Sequence, residues 1–179
     1  MDNEFTKDNA YATRCEHYFA DLYEDVWAGE VGEILRVKKS KVWQKRGIDT
    51  ILLMDNGKQI YFDEKVRRAD YNDILLEEWS NEGRQKIGWA FDHTKWTDYI
   101  AYLIPVAKTC FLLPFDLLRR TCDKYKDTWR HSEEIRYPIK AENPGYVTVS
   151  FAIEYGTLCY YMAQTQLVKI HTDKKEVKK

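Results

Sequence analysis

GIDTILLMDNGKQIYFDEKVRR, residues 47–68, is the stretch that decides the fold, because two apolar runs flank the dipeptide Asn56-Gly57. Asn-Gly favours a tight type I′ turn between antiparallel strands. The segment therefore predicts strands at 48–54 and 58–67, joined as a β-hairpin. The rest of the fold is organised around this hairpin.

Two acidic side chains fall within the predicted strands. Asp49 lies among apolar neighbours, where a carboxylate is costly unless something compensates its charge. Asp63 and Lys65 share one face of the second strand, because side chains alternate between faces. Carboxylates on adjacent strands, with the backbone carbonyl of Glu64, offer the oxygen ligands that Mg²⁺ prefers. The alternative is an exposed Asp63–Lys65 ion pair, with Asp49 capping a strand end.

Helix-like and strand-like patterns alternate through the rest of the chain. Apolar residues at steps of three and four predict a first helix over 8–27, with a stripe formed by Tyr11, Cys15, Tyr18, Leu22 and Val26. Short apolar runs predict strands at 33–38, 73–79, 98–104, 108–113 and 146–152. Further helices are predicted from Pro114 and over 154–163, whereas 129–145 is polar and is predicted to be irregular. This order predicts an α/β or α+β fold, with a central mixed β-sheet flanked by helices.

Length, composition and cysteine usage limit the class of protein. The chain has 179 residues, 44% hydrophobic and 32% charged, which is typical of one globular domain, expected here over 1–172. The charged tail 173–179 is expected to be disordered. Four cysteines without a C-x-x-C pair indicate buried thiols in a reducing, cytoplasmic compartment. The longest apolar run, 99–107, is too short to cross a bilayer, so no membrane partner is expected.

Basic residues crowd both ends of the site-bearing segment. The net charge of −1 means that any nucleic-acid contact has to come from such local clusters. One cluster precedes Asp49 and contains Lys38, Lys39, Lys41, Lys45 and Arg46; the other follows Lys65 and contains Arg67 and Arg68. The predicted phosphate contacts are Lys41, Lys45, Arg46, Arg67 and Arg68. Ordinary solvated loop charge is the alternative interpretation.

Tryptophans are concentrated in the same part of the sequence, at Trp43, Trp79, Trp89 and Trp96. A base could stack on one of these rings, as in proteins that bind single strands. Core or interface packing is the alternative, and the sequence leaves both open.

At these residues the chain resembles the PD-(D/E)xK nuclease superfamily, whose fold is restriction-endonuclease-like. Gly47-Ile48-Asp49 is similar to the second motif of that family, with Ile in place of the nominal Pro, and Asp63-Glu64-Lys65 is similar to its (D/E)xK motif. Longer segments resemble a subgroup of small phage and mobile-element proteins of unknown role. These segments are WQKRGID (43–49), DEKVRRADYNDILLEEWS (63–80), GWA (88–90), DYIAYLIP (98–105) and NPGYVTVSFAI (143–153).

The resemblance implies a role for each matched residue. Asp49 and Asp63 would be ligands of Mg²⁺ or Mn²⁺, and Lys65 would be the catalytic lysine. Gln44 would position substrate or water, with a loop amide satisfied by backbone as its alternative. Glu16, with Glu24 second, is the candidate for the first-helix glutamate of the family, and a solvated helix carboxylate is the alternative. A homodimer is also expected, because two sites most simply cut two strands.

Three functional hypotheses follow from these residues. The first is a Mg²⁺-dependent DNA endonuclease or phosphodiesterase that uses a metal-activated water at Asp49, Asp63 and Lys65. The second is an inactive nuclease-fold module that binds DNA or a protein partner. The third is a structural protein with a chance D-x-K pattern, in which these groups lie apart. Glu77 and Glu78, on the following strand, are expected to be peripheral.

Overall fold

The fold is given by a computed structural model, which describes residue 11 and residues 13–172, with side chains up to Gln166. Among these residues, helices and strands are mixed, with four α-helices and two β-sheets, and the predicted α+β class is confirmed. The chain divides into two compact units. One unit comprises the chain up to Tyr71 and Thr94–Phe115; the other comprises Asn72–His93 and the chain from Asp116 onward. The prediction of a single domain over 1–172 stays a prediction.

The helices and strands have the following bounds. The helices are α1 (Glu16–Val26), α2 (Lys41–Lys45), α3 (Phe115–Arg130) and α4 (Tyr155–Thr172). The strands are β1 (Val31–Arg36), β2 (Thr50–Met54), β3 (Gln59–Val66), β4 (Asp73–Asn81), β5 (Lys86–Ile87), β6 (Tyr99–Ile104), β7 (Thr109–Pro114), β8 (Arg136–Asn143) and β9 (Tyr146–Glu154). Short 3₁₀ turns follow β4 and β6.

The first unit is built on a five-stranded mixed sheet in the order β1-β2-β3-β6-β7. β3 and β6 are parallel, and every other pair in this sheet is antiparallel. Helix α1 packs its Phe19 and Tyr23 against Phe62 and Leu52 of the sheet. The predicted apolar stripe of α1 was therefore rotated by about one residue, since the buried side chains include Phe19 and Tyr23, whereas Tyr18 and Val26 are exposed.

The predicted hairpin is confirmed as β2 and β3, which are antiparallel with Thr50 opposite Phe62. The predicted type I′ turn is wrong. Gly57 has a φ of +81°, but Asn56 is not among the residues with positive φ, and a type I′ turn needs two such residues. Instead, the Asn56 side chain accepts a hydrogen bond of 2.9 Å from the Lys58 N–H, which stabilises the turn. Gly57 is the one residue of this turn in the left-handed conformation.

The second unit contains a four-stranded sheet in the order β5-β4-β9-β8 with helices α3 and α4. Its aromatic core centres on Phe151, whose ring lies 5.8 Å from Trp129 and 4.2 Å from Tyr137. The expectation of one central sheet is corrected, because β4 pairs with β9 rather than with the hairpin. The expectation that 129–145 is irregular is also wrong: β8 lies in this segment and pairs along β9.

Other expectations about the chain as a whole have mixed outcomes. All four cysteines are free thiols, but the prediction that they are buried holds only for Cys15 and Cys122, since Cys110 is half-buried and Cys159 is exposed. None of the helices in the described part of the chain is both long and apolar enough to cross a membrane. Residues 8–10, where the first helix was expected to begin, and the tail 173–179 lie outside the described residues.

Candidate metal and phosphate site

The open end of the β2–β3 hairpin brings the predicted acidic residues together. Backbone hydrogen bonds of 2.8 Å hold Asp49 on both sides, from its N–H to Phe62 and from the Val37 N–H to its carbonyl. The Asp49 carboxylate accepts a hydrogen bond of 3.0 Å from the Glu64 N–H. On β3, the Lys65 ammonium lies 2.5 Å from the Asp63 carboxylate. Asp49, Asp63 and Lys65 therefore form one cluster in the first unit.

Asp49 and Asp63 are close enough for the charge of one to affect the pKa of the other. Burial and the adjacent Asp63 carboxylate raise the pKa of Asp49 to about 6, although Lys65, the Glu64 N–H and Lys38 act in the opposite direction. Asp63 is itself buried. Two carboxylates with one lysine leave an excess negative charge, which a cation would neutralise.

The Glu64 side chain occupies the opposite face of β3 from Asp63, because strand side chains alternate. Its carboxylate accepts hydrogen bonds of 2.9 Å from the Tyr23 hydroxyl and 2.8 Å from the Thr50 hydroxyl, and it is ion-paired with Arg36. Its second oxygen lies 2.9 Å from the Lys38 ammonium. The first oxygen of this buried carboxylate is thus hydrogen-bonded, whereas its second oxygen is compensated by the charge of Lys38 and accepts no hydrogen bond from the described residues.

Lys38 connects this buried network to the first helix. Its ammonium lies 3.3 Å from the Glu16 carboxylate, and the backbone carbonyl of Glu16 accepts a hydrogen bond of 3.0 Å from Arg36. Burial acts to lower the pKa of Lys38, but the carboxylates of Glu64, Asp49 and Glu16 outweigh it and raise that pKa above its usual value. Lys38 is therefore held as a cation among three carboxylates.

These groups line a cavity of about 700 Å³ in the first unit. Its lining residues are Thr13, Glu16, Arg36, Lys38, Lys39, Gln44, Asp49 and Glu64. Four of the predicted site residues share this cavity, namely Glu16, Gln44, Asp49 and Glu64. Its walls carry three cations and three carboxylates, and two of the cations, Arg36 and Lys38, are ion-paired with Glu64.

The remaining predicted residues have different surroundings. The Gln44 amide donates to the backbone carbonyl of Lys38, as its loop alternative proposed, although Gln44 also lines the cavity. Glu24 is exposed on α1. Glu77 and Glu78 lie on β4 in the second unit, where Glu78 is ion-paired with Arg130 and accepts a hydrogen bond of 2.7 Å from Tyr137.

The predicted phosphate contacts lie on segments that flank the hairpin's open end. Lys41 and Lys45 are exposed on α2, just before Asp49. Arg67 follows β3, and its guanidinium lies 5.0 Å from the centre of the Tyr71 ring. Arg68 lies 5.0 Å from the centre of the Tyr11 ring. Both arginines are thus held against aromatic rings.

Sequence reasoning missed Arg36 and the side chain of Glu64. The available signal was the alternation of β3, which places a carboxylate between Phe62 and Val66 on the buried face. A buried carboxylate requires a cation. Arg36 is that cation. The pairing of β1 with β2 places it opposite Thr50, whose hydroxyl also contacts the Glu64 carboxylate.

The donor set at the hairpin is small for a metal site. In the part of the chain that the structure describes, no group of three or more His, Cys, Asp or Glu side chains is arranged to hold a metal ion. Mg²⁺ commonly uses only one or two carboxylates and completes its shell with water and phosphate oxygens. Asp49 and Asp63 fit that smaller requirement.

Comparisons with protein-family models, with curated proteins and with solved structures give no match to this chain. The fold and the site are therefore described from the chain itself.

Proposed function

We propose that the protein is a metal-dependent phosphodiesterase that hydrolyses DNA, with Asp49 and Asp63 as the carboxylates that hold Mg²⁺ or Mn²⁺. The observation that carries this proposal is the cluster of Asp49, Asp63 and Lys65 at the open end of the hairpin. The restriction-endonuclease-like resemblance of the same residues supports it. So does the placement of Lys41 and Lys45 just before the cluster.

Each residue in the cluster has a chemical task. A metal bound at Asp49 and Asp63 would polarise the scissile phosphate and lower the pKa of bound water. Lys65 offsets negative charge on the phosphate beside Asp63 and orients the attacking water. The Glu64 N–H orients the Asp49 carboxylate through its hydrogen bond of 3.0 Å. The Glu64 carbonyl as a further ligand, and Gln44 and Glu16 as accessory groups, stay predictions.

Cleavage assays with plasmid and branched DNA in Mg²⁺ or Mn²⁺ test this proposal. Asp63→Ala and Lys65→Ala should each abolish metal-dependent cleavage. Asp116→Asn is the matched control, because this exposed aspartate on α3 pairs with Arg119 and Arg120 on its own helix. Activity that persists in both site variants would overturn the site assignment.

The second candidate is an inactive module of the same fold that binds DNA or a protein partner. It is favoured by the ion pair of 2.5 Å between Lys65 and Asp63, which already neutralises that carboxylate without a metal. In this case Mn²⁺ binding that depends on Asp49 and Asp63 would be absent, while DNA or partner binding would persist.

A further inference from the structure

A row of aromatic and cationic side chains forms where the segment just before Asp49 meets β3 and the loop before β6. It consists of Tyr61, Trp43, Arg46 and Trp96, and we call it the Trp96 platform. The Trp43 ring stacks at 6.1 Å from Tyr61, with an angle of 26° between the rings. The Arg46 guanidinium lies 5.4 Å from the Trp43 ring and 4.1 Å from the Trp96 ring.

Two hydrogen bonds join the Trp96 segment to the segment just before Asp49. The Trp96 N–H donates a hydrogen bond of 2.8 Å to the Arg46 carbonyl, and the Lys95 ammonium donates one of 3.4 Å to the Lys45 carbonyl. Gly47 permits this close approach, because its φ is +72° and a Cβ there would lie 2.6 Å from the Lys95 side chain. These bonds hold the backbone of Trp96 beside Arg46, and the Arg46 guanidinium contacts the ring itself.

Trp96 is nevertheless open to solvent. It is 61% exposed although the Arg46 guanidinium covers part of it. Single exposed aromatic rings are common on protein surfaces, so exposure alone does not mark a binding site. The exposure of Trp96 matters here because the Arg46 guanidinium lies on the ring and Lys95 precedes it in the chain. The exposed Lys45 precedes Arg46 in the chain, and its carbonyl accepts a hydrogen bond from the Lys95 ammonium, so an anionic ligand with a flat apolar part suits this surface.

We infer that the Trp96 platform stacks an unpaired nucleobase, so that the substrate of the neighbouring site carries a single-stranded segment. Bases have flat faces that stack on Trp, and their phosphates suit the adjacent lysines and the edges of Arg46. Bases inside a duplex are already stacked on each other and offer no such face. This inference deepens the proposed function and rests on it for the identity of the substrate as DNA.

Binding of a fluorescent oligothymidylate, single-stranded or annealed to oligoadenylate, tests the inference by anisotropy in EDTA. Trp96→Ala should weaken binding of the single strand by about 5- to 100-fold and change duplex binding little. Trp96→Phe should retain most of the affinity, because a smaller ring still stacks. Arg46→Lys should also weaken single-strand binding, because an ammonium keeps the charge but loses the planar stacking.

Tyr160→Ala is the matched control, since Tyr160 is 60% exposed on α4 in the second unit. It should leave both affinities unchanged. Thermal unfolding of Trp96→Ala should match that of the wild type, because an exposed ring contributes little to the core. The inference is overturned if Trp96→Ala binds the single strand as well as wild type does, if both nucleic acids are weakened equally, or if the wild type does not bind the single strand.

Failure of this inference is separable from failure of the proposed function. The binding measurement excludes metal, so it does not depend on catalysis. A protein without cleavage activity that still shows Trp96-dependent binding supports the platform alone. If cleavage depends on Asp63 but single-strand binding does not change in Trp96→Ala, the nuclease site stands and the inference about the Trp96 platform is overturned.

Discussion

The ionisation of Asp49 opposes folding of the metal-free protein. Its pKa is raised by burial and by Asp63 from 3.8 to about 6, so the folded state holds a proton that the unfolded state has already released. Stability from this group is complete below about pH 4 and is lost as the pH rises through about 6. Above about pH 6 the aspartate is ionised in both states, so its contribution to stability no longer changes with pH.

Asp49→Asn should therefore stabilise the metal-free protein near neutral pH. Asn can still accept the hydrogen bond from Glu64 but carries no charge. We expect a gain of about 1 to 3 kcal/mol at about pH 8 and almost none at about pH 4, measured by urea unfolding in EDTA. A variant that is less stable than wild type at both pH values would contradict the account of this residue.

Glu64 presents the opposite case, because its buried carboxylate is ion-paired with Arg36 and Lys38. It also accepts hydrogen bonds from the Tyr23 and Thr50 hydroxyls. Glu64→Gln leaves two part-buried cations without their carboxylate and should lower the free energy of unfolding by about 1.5 to 3 kcal/mol. Glu82→Gln is the control, since Glu82 forms an ion pair of 2.7 Å with Lys140 in which both side chains are largely exposed. It should cost less than about 1 kcal/mol. Equal effects of the two changes would refute the buried network.

At the scale of elements, the hairpin turn depends on one glycine. Gly57 has a φ of +81°. No atom in the described part of the chain lies within 4 Å of the position that a Cβ would take there. Gly57→Ala therefore tests the backbone conformation without a steric clash. We expect a loss of about 1 kcal/mol in chemical unfolding. Gly83→Ala should have a smaller effect, because Gly83 lacks a positive φ and its Cβ would make only an ordinary contact of 3.7 Å. A larger loss at Gly83 than at Gly57 would contradict this assignment.

The sequence predicted the elements better than their pairing. Local apolar runs identified β2, β3, β6 and β7, because each of these strands buries part of its length. β8 was missed because none of its residues is fully buried, so no apolar alternation marks it. The partner of β4 could not be read locally, since its pairing with β9 joins residues far apart in the chain.

The part of the candidate site that depends on local sequence was predictable, and the part that depends on long-range packing was not. The hairpin alone places Asp49 beside Asp63, and alternation places Lys65 on the face of Asp63. The pairing of Lys38 with Glu16 and Glu64 was not predictable, because it depends on how α1 packs over the sheet. Long-range packing of this kind leaves no pattern in neighbouring residues.

At the scale of the whole molecule, thiol reactivity reports on both units. Cys159 is exposed on α4, whereas Cys15 and Cys122 are buried. Burial raises the pKa of Cys110 to about 12 and also raises that of Cys122, and thiols react as thiolates. One fast equivalent should therefore be titrated by a thiol reagent in the native protein, and four after denaturation. Cys159→Ser should remove the fast phase; a fast phase that persists would show that a buried thiol is accessible.

The central claim is that Asp49 and Asp63 together hold a divalent cation. Isothermal titration calorimetry of Mn²⁺ into wild type, Asp49→Asn, Asp63→Asn and the control Asp116→Asn tests it most directly. The account predicts binding to wild type and to the control, and loss of at least about tenfold in affinity in each site variant. Mn²⁺ binding that is absent from wild type, or unchanged in both site variants, would contradict it.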